Sequence, residues 1–474
     1  MQRAAAPHNP LHERYASAEM ARLLSAEHRY RTWRRIWIAL AECQRELGLP
    51  ITEAQLEALR GARPIDFERV AELERQTRHD VVAHLRHFAE QSGDAGGILH
   101  LGATSAFVTD NTDALIVREG LDLLVARLAR VLTELRDFAA RHRDLPCLAY
   151  THFQPAQLTT VGKRACLWLQ DFLIDAEELV ARRDRLRCRG VKGTTGTQAS
   201  FLTLFGGDHQ RVRELDRRIA QRLGFERSWP VTGQTYPRKQ DTQVLAALTG
   251  VAESCHKLGT DLRLLQGVGE LSEPFDETQV GSSAMAYKRN PVRAERMCGL
   301  ARRLITDGLN GALNASTQWL ERSLDDSANR RLVLTDSLLT ADAILGLAGG
   351  LCAGLRVHRE AIATRVEREL PFMATETFLM EGALRGGDRQ ELHEAIRRHS
   401  LDAHAAVSAG RDNPLLDSIA ADPRFGLARD QLAALLDPVA FTGRSAPQVV
   451  EFLEEHVDPL LARLAPAPVE EPRV

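Results

Sequence analysis

The sequence has little of what several large classes of protein require. Its 474 residues carry a net charge of -3, so it lacks the basic excess that general nucleic-acid binding needs. No apolar run approaches the roughly 18 residues of a membrane-spanning helix. The N-terminal stretch MQRAAAPHNPLHERYAS also lacks the apolar centre of a secretion signal. We therefore expect a cytoplasmic protein with no nucleic-acid or membrane partner.

Paired cysteines and strand patterns are scarce as well. The seven cysteines are scattered and no two form a CxxC pair, so neither a zinc site nor a disulfide framework is indicated. Such a set fits a reducing compartment. Aromatic residues make up only 5%, and Val/Ile/Thr runs that alternate with polar residues are rare. We predict an all-α protein without a metal site.

What the sequence does contain is heptad spacing. In the segment that begins at Asn111, apolar residues recur from Val117 to Phe138 in alternating steps of four and three. The same spacing returns over 165–179 and 245–265, and more weakly over 338–355. Each segment predicts a long helix with a narrow apolar stripe, and such helices pack as a nearly parallel bundle. Stripes of this kind also favour packing between subunits.

The chain is longer than one hydrophobic core usually fills. We predict an N-terminal helical domain over 1–104, a central long-helix bundle over 105–357 and a C-terminal helical domain over 358–474. The proline-containing stretch RELPFMATE (368–376) is interpreted as a break near the start of the last domain.

Chemistry is expected where the helical pattern breaks, because functional residues concentrate on loops that a rigid scaffold positions. The breaks are TRHDVVAH (77–84), HLGATS (100–105), THFQPAQ (151–157), KGTTGTQAS (192–200), TGQTY (232–236), GSSAMAYKRN (281–290) and ERSLDDSANRR (321–331).

Each break has a structural interpretation beside a functional one. Thr104 and Ser105 could simply cap the helix that follows, or a helix start with free hydroxyls could receive a carboxylate. His152 precedes Pro155, a residue typical of a helix start, so we expect His152 near a helix N-terminus. It could be structural or catalytic there.

The last two breaks carry the strongest charges. Arg322, Ser327 and Arg331 could form a solvated face, or they could bind an oxyanion, since guanidinium groups bind such anions through two hydrogen bonds. The loop 281–290 could be a flexible linker. It could also surround an anion with backbone N–H groups while a serine takes a proton next to a carboxylate and Lys288 supplies positive charge. It matches neither a GxSxG elbow nor a P-loop.

The stretch GSSAMAYKRNP resembles the GSSxMPxKxNP signature of the fumarase/aspartase/argininosuccinate lyase superfamily. Eight further stretches resemble the adenylosuccinate lyase family, in particular the branch that includes the animal enzymes, and the resemblance runs from about Tyr15 to about residue 463. One departure is visible: Ala286 stands where the signature has proline, which loosens the backbone of the loop. The stretches are RHDVVAH, LGATS, THFQPAQLTTVGKR, RGVKGTTGTQASF, TGQTYPRK, SLDDSANRR, ELPFMATE and DPVAFTGR.

This resemblance implies a homotetramer whose helical bundles form a shared core and whose active sites are each built from three subunits. It implies β-elimination of fumarate from adenylosuccinate, giving AMP, and from the succinyl-carboxamide ribotide SAICAR, giving AICAR. It implies no metal and no organic cofactor.

The resemblance also implies roles for individual residues. Ser282 would be the general base, His152 the general acid, and Lys288 with the loop amides would hold the carboxylate as charge develops. His79 would support His152. The remaining pocket residues would be Thr104, Ser105 and Gln234 around the succinyl group, Arg14, Tyr15, Arg322, Ser327 and Arg331 around the nucleotide, and Arg78, His79, Asp80 and Arg296 at further positions.

Two alternatives stay open at this stage. Another lyase of the superfamily would share the serine loop but should lack the set of residues for a phosphate. A non-catalytic helical scaffold would have a decayed site, whereas Ser282, His152 and Lys288 are all present here.

Overall fold

Helices dominate the computed structural model, which describes residues 9–275, 285 and 287–465. The predicted all-α class is confirmed. Ser282 and Ala286, about which the sequence made predictions, lie outside the described residues.

The N-terminal region consists of short helices around one long helix. Side-chain caps explain several of their starts: Ser17, Ser25, Thr52 and Asp66 each accept a hydrogen bond from a backbone N–H in the first turn. A π-helical turn over Leu11–Tyr15 precedes them, and a 3₁₀ turn over Gly93–Ile98 follows. The helices are α1 (Ala18–Leu23), α2 (Ala26–Glu46), α3 (Glu53–Arg60), α4 (Phe67–Thr77) and α5 (Asp80–Ser92).

The predicted heptad segments form the long helices of the central region. The apolar residues from Val117 to Phe138 that set the first stripe are all buried. The helices are α6 (Ser105–Arg141), α7 (Val161–Asp184), α8 (Ala199–Leu204), α9 (His209–Arg222), α10 (Lys239–Gly267), α11 (Val292–Asp307), α12 (Leu309–Ser316) and α13 (Asp326–Gly354). Helix α6 packs on α7 and α13, and α10 packs on α7, α11 and α13.

Helix α13 is long and apolar enough to cross a membrane by length and composition alone. Its most apolar window has a mean hydropathy of 1.5, and 72% of that window is buried inside the protein. Burial of this extent is typical of the core helix of a soluble protein.

A β-hairpin corrects one sequence-based expectation. Strand β1 (Pro146–Thr151) pairs antiparallel with β2 (Gln154–Thr160), and α7 begins only at Val161. Pro155 therefore lies in a strand and not at a helix start, and the expected placement of His152 near a helix N-terminus is wrong. Proline is tolerated because a two-stranded ribbon has only edge strands.

The C-terminal region has its own apolar core, which includes Phe378, Leu392, Leu415 and Phe425. Helix α14 runs through Pro371 and ends at Met373, so the expected break falls just after the proline. A small antiparallel pair, β3 (Leu271–Ser272) with β4 (Arg356–Val357), joins the bundle to this region. The helices are α14 (Arg359–Met373), α15 (Thr375–Leu384), α16 (Arg389–Ser408), α17 (Leu415–Ala420), α18 (Arg429–Ala434), α19 (Ser445–Phe452) and α20 (Asp458–Leu461).

The N-terminal region and the bundle share one continuous hydrophobic core. Helix α6 starts at Ser105 and β4 ends at Val357, next to the predicted boundaries, but the division into three domains stays a prediction. All seven cysteines are free and buried.

Buried His84 and partly buried His100 lie in an aromatic cluster that packs on α2. The His84 ring stacks on Tyr30 with centroids 3.8 Å apart, and the His100 Nδ1 accepts a hydrogen bond of 2.8 Å from the Trp37 indole. Burial is the main cause that lowers the pKa of each histidine, from 6.5 to about 4. Both rings are therefore neutral in the folded protein at pH 7.

The folded protein should lose stability in mild acid because of these rings. A lowered folded-state pKa means that the unfolded chain binds more protons between pH 6.5 and about 4, so the stabilisation is complete above pH 6.5 and falls through that window. Each histidine contributes a slope of at most about 1.4 kcal/mol per pH unit. The measurement is thermal unfolding between pH 6.5 and about 4 of the native chain and of His84→Phe, a variant that keeps the ring stack. Stability should change less steeply with pH in the variant than in the native chain.

The control is His209→Gln, because His209 is exposed on α9 and its loss should leave the slope unchanged. Comparison with a variant is necessary because burial raises the pKa of Asp175 to about 7, which gives a slope of the opposite sign. Equal slopes for the native chain and His84→Phe would refute the assignment.

Candidate active site

A cavity of about 830 Å³ lies where α2, α5, α6 and α13 approach one another. Most of the pocket residues expected from the sequence line it, although they come from four separate breaks in the helical pattern. They are Arg78, His79, Asp80, Thr104, Ser105, Gln234, Arg322, Ser327 and Arg331.

A left-handed residue creates one wall of the cavity. Arg78 has φ 53° and ends α4, and α5 starts two residues later at Asp80. A left-handed non-glycine residue is uncommon and is often found at functional sites. The Asp80 carboxylate accepts a hydrogen bond of 2.7 Å from the Arg331 guanidinium across the cavity. Burial alone would raise the pKa of Asp80, but the Arg331 and Val81 hydrogen bonds outweigh it and hold the pKa below its usual range.

The start of α6 forms the neighbouring part of the wall. Thr104 is the N-cap, yet its side chain makes no capping hydrogen bond. The Ser105 hydroxyl lies 3.3 Å from His79 Nε2. The purely structural interpretation of these two hydroxyls is therefore the weaker one. A helix start with side-chain hydroxyls and N–H groups is suited to binding a carboxylate.

Gln234 is held by a fully buried arginine. Arg189 donates hydrogen bonds to the carbonyls of Gln234 at 2.6 Å and Gly193 at 2.7 Å, and its exposure is 0%. The Gln234 side chain donates to the carbonyl of Thr194. Gly196 is required here, because a Cβ would lie 1.8 Å from the Thr232 carbonyl oxygen. The segments 192–200 and 232–236 are thus joined by hydrogen bonds that fix the position of Gln234.

Beneath the cavity, arginines and aspartates alternate in a buried network. Arg238 donates to both oxygens of Asp110, at 3.1 and 3.2 Å, and through Nε to Asp326 at 2.6 Å. The other Asp326 oxygen accepts from Arg322 at 2.8 Å. Arg322 therefore enters the cavity with a fixed partner behind it, because bonds between charged groups are strong and directional.

The second half of the network is joined to the first by Tyr236. Its backbone N–H donates to Asp110, and its hydroxyl donates to Asp241. Arg330 donates to that hydroxyl and to Asp241, each at 2.7 Å. The two buried arginines face the Tyr236 ring at 4.7 and 5.4 Å from its centroid, within cation–π range.

Sequence reasoning missed several residues of this site. Arg29 and Tyr30 line the cavity, and Arg29 pairs with Asp113 at 2.7 Å. They lie in the first turn of α2, which no break in the helical pattern marks. The charged residues inside α6 and α13 could have indicated the site, since aspartate and arginine are rarely buried on a helix unless they are paired.

A second group of expected residues lies outside the cavity lining. The guanidinium carbons of Arg14 and Arg296 lie 6.0 and 5.8 Å from the centre of the Tyr15 ring. These three residues come from the π-helical turn and from α11, so the structure brings them together across most of the chain.

His152 and Lys288 are likewise absent from the cavity lining. His152 is at the tip of the hairpin with φ 53°, and Phe153 follows with φ 60°. Two consecutive residues of positive φ are the pattern of a type I′ turn, which usually needs Asn and Gly. That atypical composition is why the hairpin escaped detection. Lys288 is exposed shortly before α11.

No group of three or more His, Cys, Asp or Glu side chains within the described ranges is arranged to hold a metal ion.

The overall architecture is that of a known class of lyases. Residues 23–306 match a family model described as Lyase. The structure resembles a fumarate lyase from Mesorhizobium sp. BNC1, with a TM-score of 0.79, 24% identity and coverage of 96% of this chain and 100% of that one. It also resembles a 3-carboxy-cis,cis-muconate lactonizing enzyme from Pseudomonas putida, with a TM-score of 0.81, 22% identity and coverage of 94% and 99%. At these identities the structural likeness establishes the fold alone.

Sequence relatives narrow the class further. Residues 371–452 match a model described as Adenylosuccinate lyase C-terminus. The chain is 46% identical to an adenylosuccinate lyase of Saccharomyces cerevisiae over 95% of this chain and 94% of that protein. It is 45% identical to one of Schistosoma mansoni over 96% and 95%. This chain belongs to the adenylosuccinate lyase family.

Removing one buried arginine should destabilise the fold much more than removing an exposed one. Arg238→Met leaves Asp110 and Asp326 buried with fewer partners, which we expect to cost about 3–5 kcal/mol. The measurement is the Tm of the purified protein at fixed concentration, since assembly shifts apparent stability.

The matched variant is Arg331→Met, which removes a 63% exposed arginine from the same cavity. Its ion pair with Asp80 is expected to contribute at most about 1 kcal/mol. Equal losses of Tm in the two variants would contradict a stabilising role for the buried network.

Proposed function

We propose that this chain catalyses β-elimination of fumarate from adenylosuccinate, giving AMP, and from SAICAR, giving AICAR. The observation that carries the proposal is its likeness, at 45–46% identity over nearly the full chain, to enzymes named adenylosuccinate lyase. The charges and hydroxyls of the cavity support it, because they suit a substrate with a phosphate at one end and carboxylates at the other.

The two ends of the substrate would bind at different walls of the cavity. Arg322, Ser327 and Arg331 would receive the phosphate, since guanidinium groups bind phosphate oxygens in pairs. Thr104, Ser105 and Gln234 would receive a succinyl carboxylate at the start of α6. The phosphate would displace Asp80 from Arg331, and Asp80 would then be free to reorient within the pocket.

The chemistry needs a base, an acid and a site for developing negative charge. Ser282 would take the proton from the Cβ carbon of the succinyl group, whose adjacent carboxylate then carries the extra charge. Lys288 and the loop amides would stabilise that charge. As the C–N bond breaks and the C=C bond of fumarate forms, His152 would protonate the departing nitrogen. His79 would support His152.

We further propose that the protein is a homotetramer with shared active sites. The cavity, the Arg14–Tyr15–Arg296 group and the His152 hairpin are three separate groups in one chain, so a complete site needs contributions from other subunits. Exposed apolar residues on helices of the central region would supply surfaces for such contacts: Leu167 and Ile174 on α7, Leu264 on α10, and Leu309 and Leu313 on the short α12. The proposed enzyme needs no cofactor, binds neither nucleic acid nor membrane, and works in the cytoplasm.

Purified protein should convert adenylosuccinate to equal amounts of AMP and fumarate. The loss of substrate absorbance gives the rate, and chromatography gives the product ratio. Argininosuccinate should give no fumarate, because it has no phosphate for the proposed site at Arg322, Ser327 and Arg331. If argininosuccinate gave fumarate and adenylosuccinate did not, the chain would be a lyase of the same chemistry with a different substrate.

The control is Ser282→Ala prepared in the same way, which should lose turnover while still binding AMP. Its neighbour Ser283→Ala should keep turnover. If the two results were reversed, the base would be Ser283, and if both variants were active, a serine base in this loop would be wrong.

Mixed tetramers test the sharing of sites. His152→Ala and Arg331→Ala should each be inactive alone. Coexpressed with different tags and purified through both, they should regain about a quarter of native activity, since random mixing puts an intact His152 and an intact Arg331 at about one site in four. Sites built within one chain would regain none.

A further inference from the structure

Asp342 is an unusual residue for its position. It is the one charged residue between Ser337 and Gly354 in α13, which among the described helices is the one long and apolar enough to cross a membrane by composition. Its exposure is 1%. Burying a carboxylate costs several kcal/mol unless it is paired and hydrogen-bonded, so its contacts indicate its role.

Those contacts lead to the N-terminus of the chain. Asp342 forms an ion pair with Arg127 of α6, which is itself buried. It also accepts hydrogen bonds from the backbone N–H of Ser17 at 2.6 Å and from the Ser17 hydroxyl at 3.2 Å. The Ser17 hydroxyl in turn accepts from the N–H of Met20 and caps α1. One carboxylate therefore joins α6, α13 and α1.

Ser17 lies two residues after Tyr15. The turn that carries Arg14 and Tyr15 closes through a hydrogen bond from the Ala16 N–H to the Leu11 carbonyl and packs on α13. Leu11 and Ala16 are buried, whereas Arg14 is exposed and Tyr15 is half-buried. Apolar contacts hold the turn against the bundle but permit sliding, while two hydrogen bonds to a fixed carboxylate set its register.

We propose that Asp342, held by Arg127, is a positioning residue for substrate binding: it fixes the turn so that Arg14 and Tyr15 stand beside Arg296. The proposal rests on the proposed function, in which these three residues bind the nucleotide end of the substrate. Asp342 itself touches no substrate.

The main test variant replaces the buried pair as a whole. Arg127→Met combined with Asp342→Leu leaves no unpaired charge, and apolar replacements of buried ion pairs are generally tolerated. Ser17 then loses its acceptor. We expect the KM for adenylosuccinate to rise about tenfold with kcat within about threefold, because a loss of positioning at a non-reacting end weakens binding more than chemistry.

A second variant breaks the same contact from the other side. Ser17 has φ -67° and Ala16 has φ -77° and ψ 156°, angles that suit a proline and the residue before it. Ser17→Pro removes both donors, together with the cap of α1, leaves the Arg127–Asp342 pair in place and should raise KM to a similar extent. This variant keeps the proposal testable if the double variant does not assemble.

A double-mutant cycle with Arg14→Ala separates positioning from general stability. If Asp342 acts through the turn, adding Arg14→Ala to the Arg127→Met/Asp342→Leu chain should raise KM little further. Additive effects, or an unchanged KM in an assembled double variant, would overturn the proposal. Ser337→Ala is the matched control, since it removes a fully buried polar group from the same helix and should leave KM unchanged.

Limited trypsin digestion adds a readout independent of activity. Cleavage after Arg14 should be faster in the double variant than in the native chain or in Ser337→Ala. A native protein inactive on adenylosuccinate would refute the proposed function, and the rate of cleavage would then still decide whether Asp342 holds the turn. Equal cleavage rates would overturn the proposal.

Discussion

The cavity depends on the buried alternation of arginine and aspartate beneath it. Arg238 and Arg330 both lie within cation–π range of the Tyr236 ring, and each is paired with carboxylates from other segments. Buried charges are costly unless every partner is in place, so the network has one satisfactory arrangement. That arrangement fixes the start of α13, the first turns of α6 and the loop before α10 relative to one another, and these are the elements that carry most of the cavity residues.

Paired carboxylates also hold the other segments that carry expected site residues. Asp342 holds the turn with Arg14 and Tyr15, and Asp216 pairs with buried Lys192 under the loop behind Gln234. Glu270, 1% exposed, pairs with Arg164 and accepts from the Tyr150 hydroxyl at the base of the His152 hairpin. Apolar packing tolerates small shifts, whereas a hydrogen-bonded carboxylate does not. Polar groups in this core therefore set the positions of loops that the heptad stripes alone would leave variable.

Much of this could be predicted from the sequence. Heptad spacing located the long helices because burial on a helix repeats every three or four residues, and the breaks between stripes located the loops of the cavity. The hairpin was missed because left-handed His152 and Phe153 occupy a turn that usually carries Asn and Gly, and because Pro155 suggested a helix. Arg29 and Tyr30 were missed because a residue inside a regular helix gives no local sign that it faces a cavity. Pairings such as Ser17 with Asp342 join residues too far apart in the chain for any local pattern to relate them.

The separation of the expected site into three groups has a physical consequence. A hairpin tip with two left-handed non-glycine residues stores strain, on the order of 1–3 kcal/mol per residue, which persists only where the surroundings hold it. His152 is exposed in the single chain, and in the proposed tetramer a neighbouring subunit would supply the contacts that hold this turn. Assembly would then complete the site and hold its acid in place at once. Activity and association would be coupled in such an arrangement, because the proposed acid His152 would act in a cavity formed by another subunit.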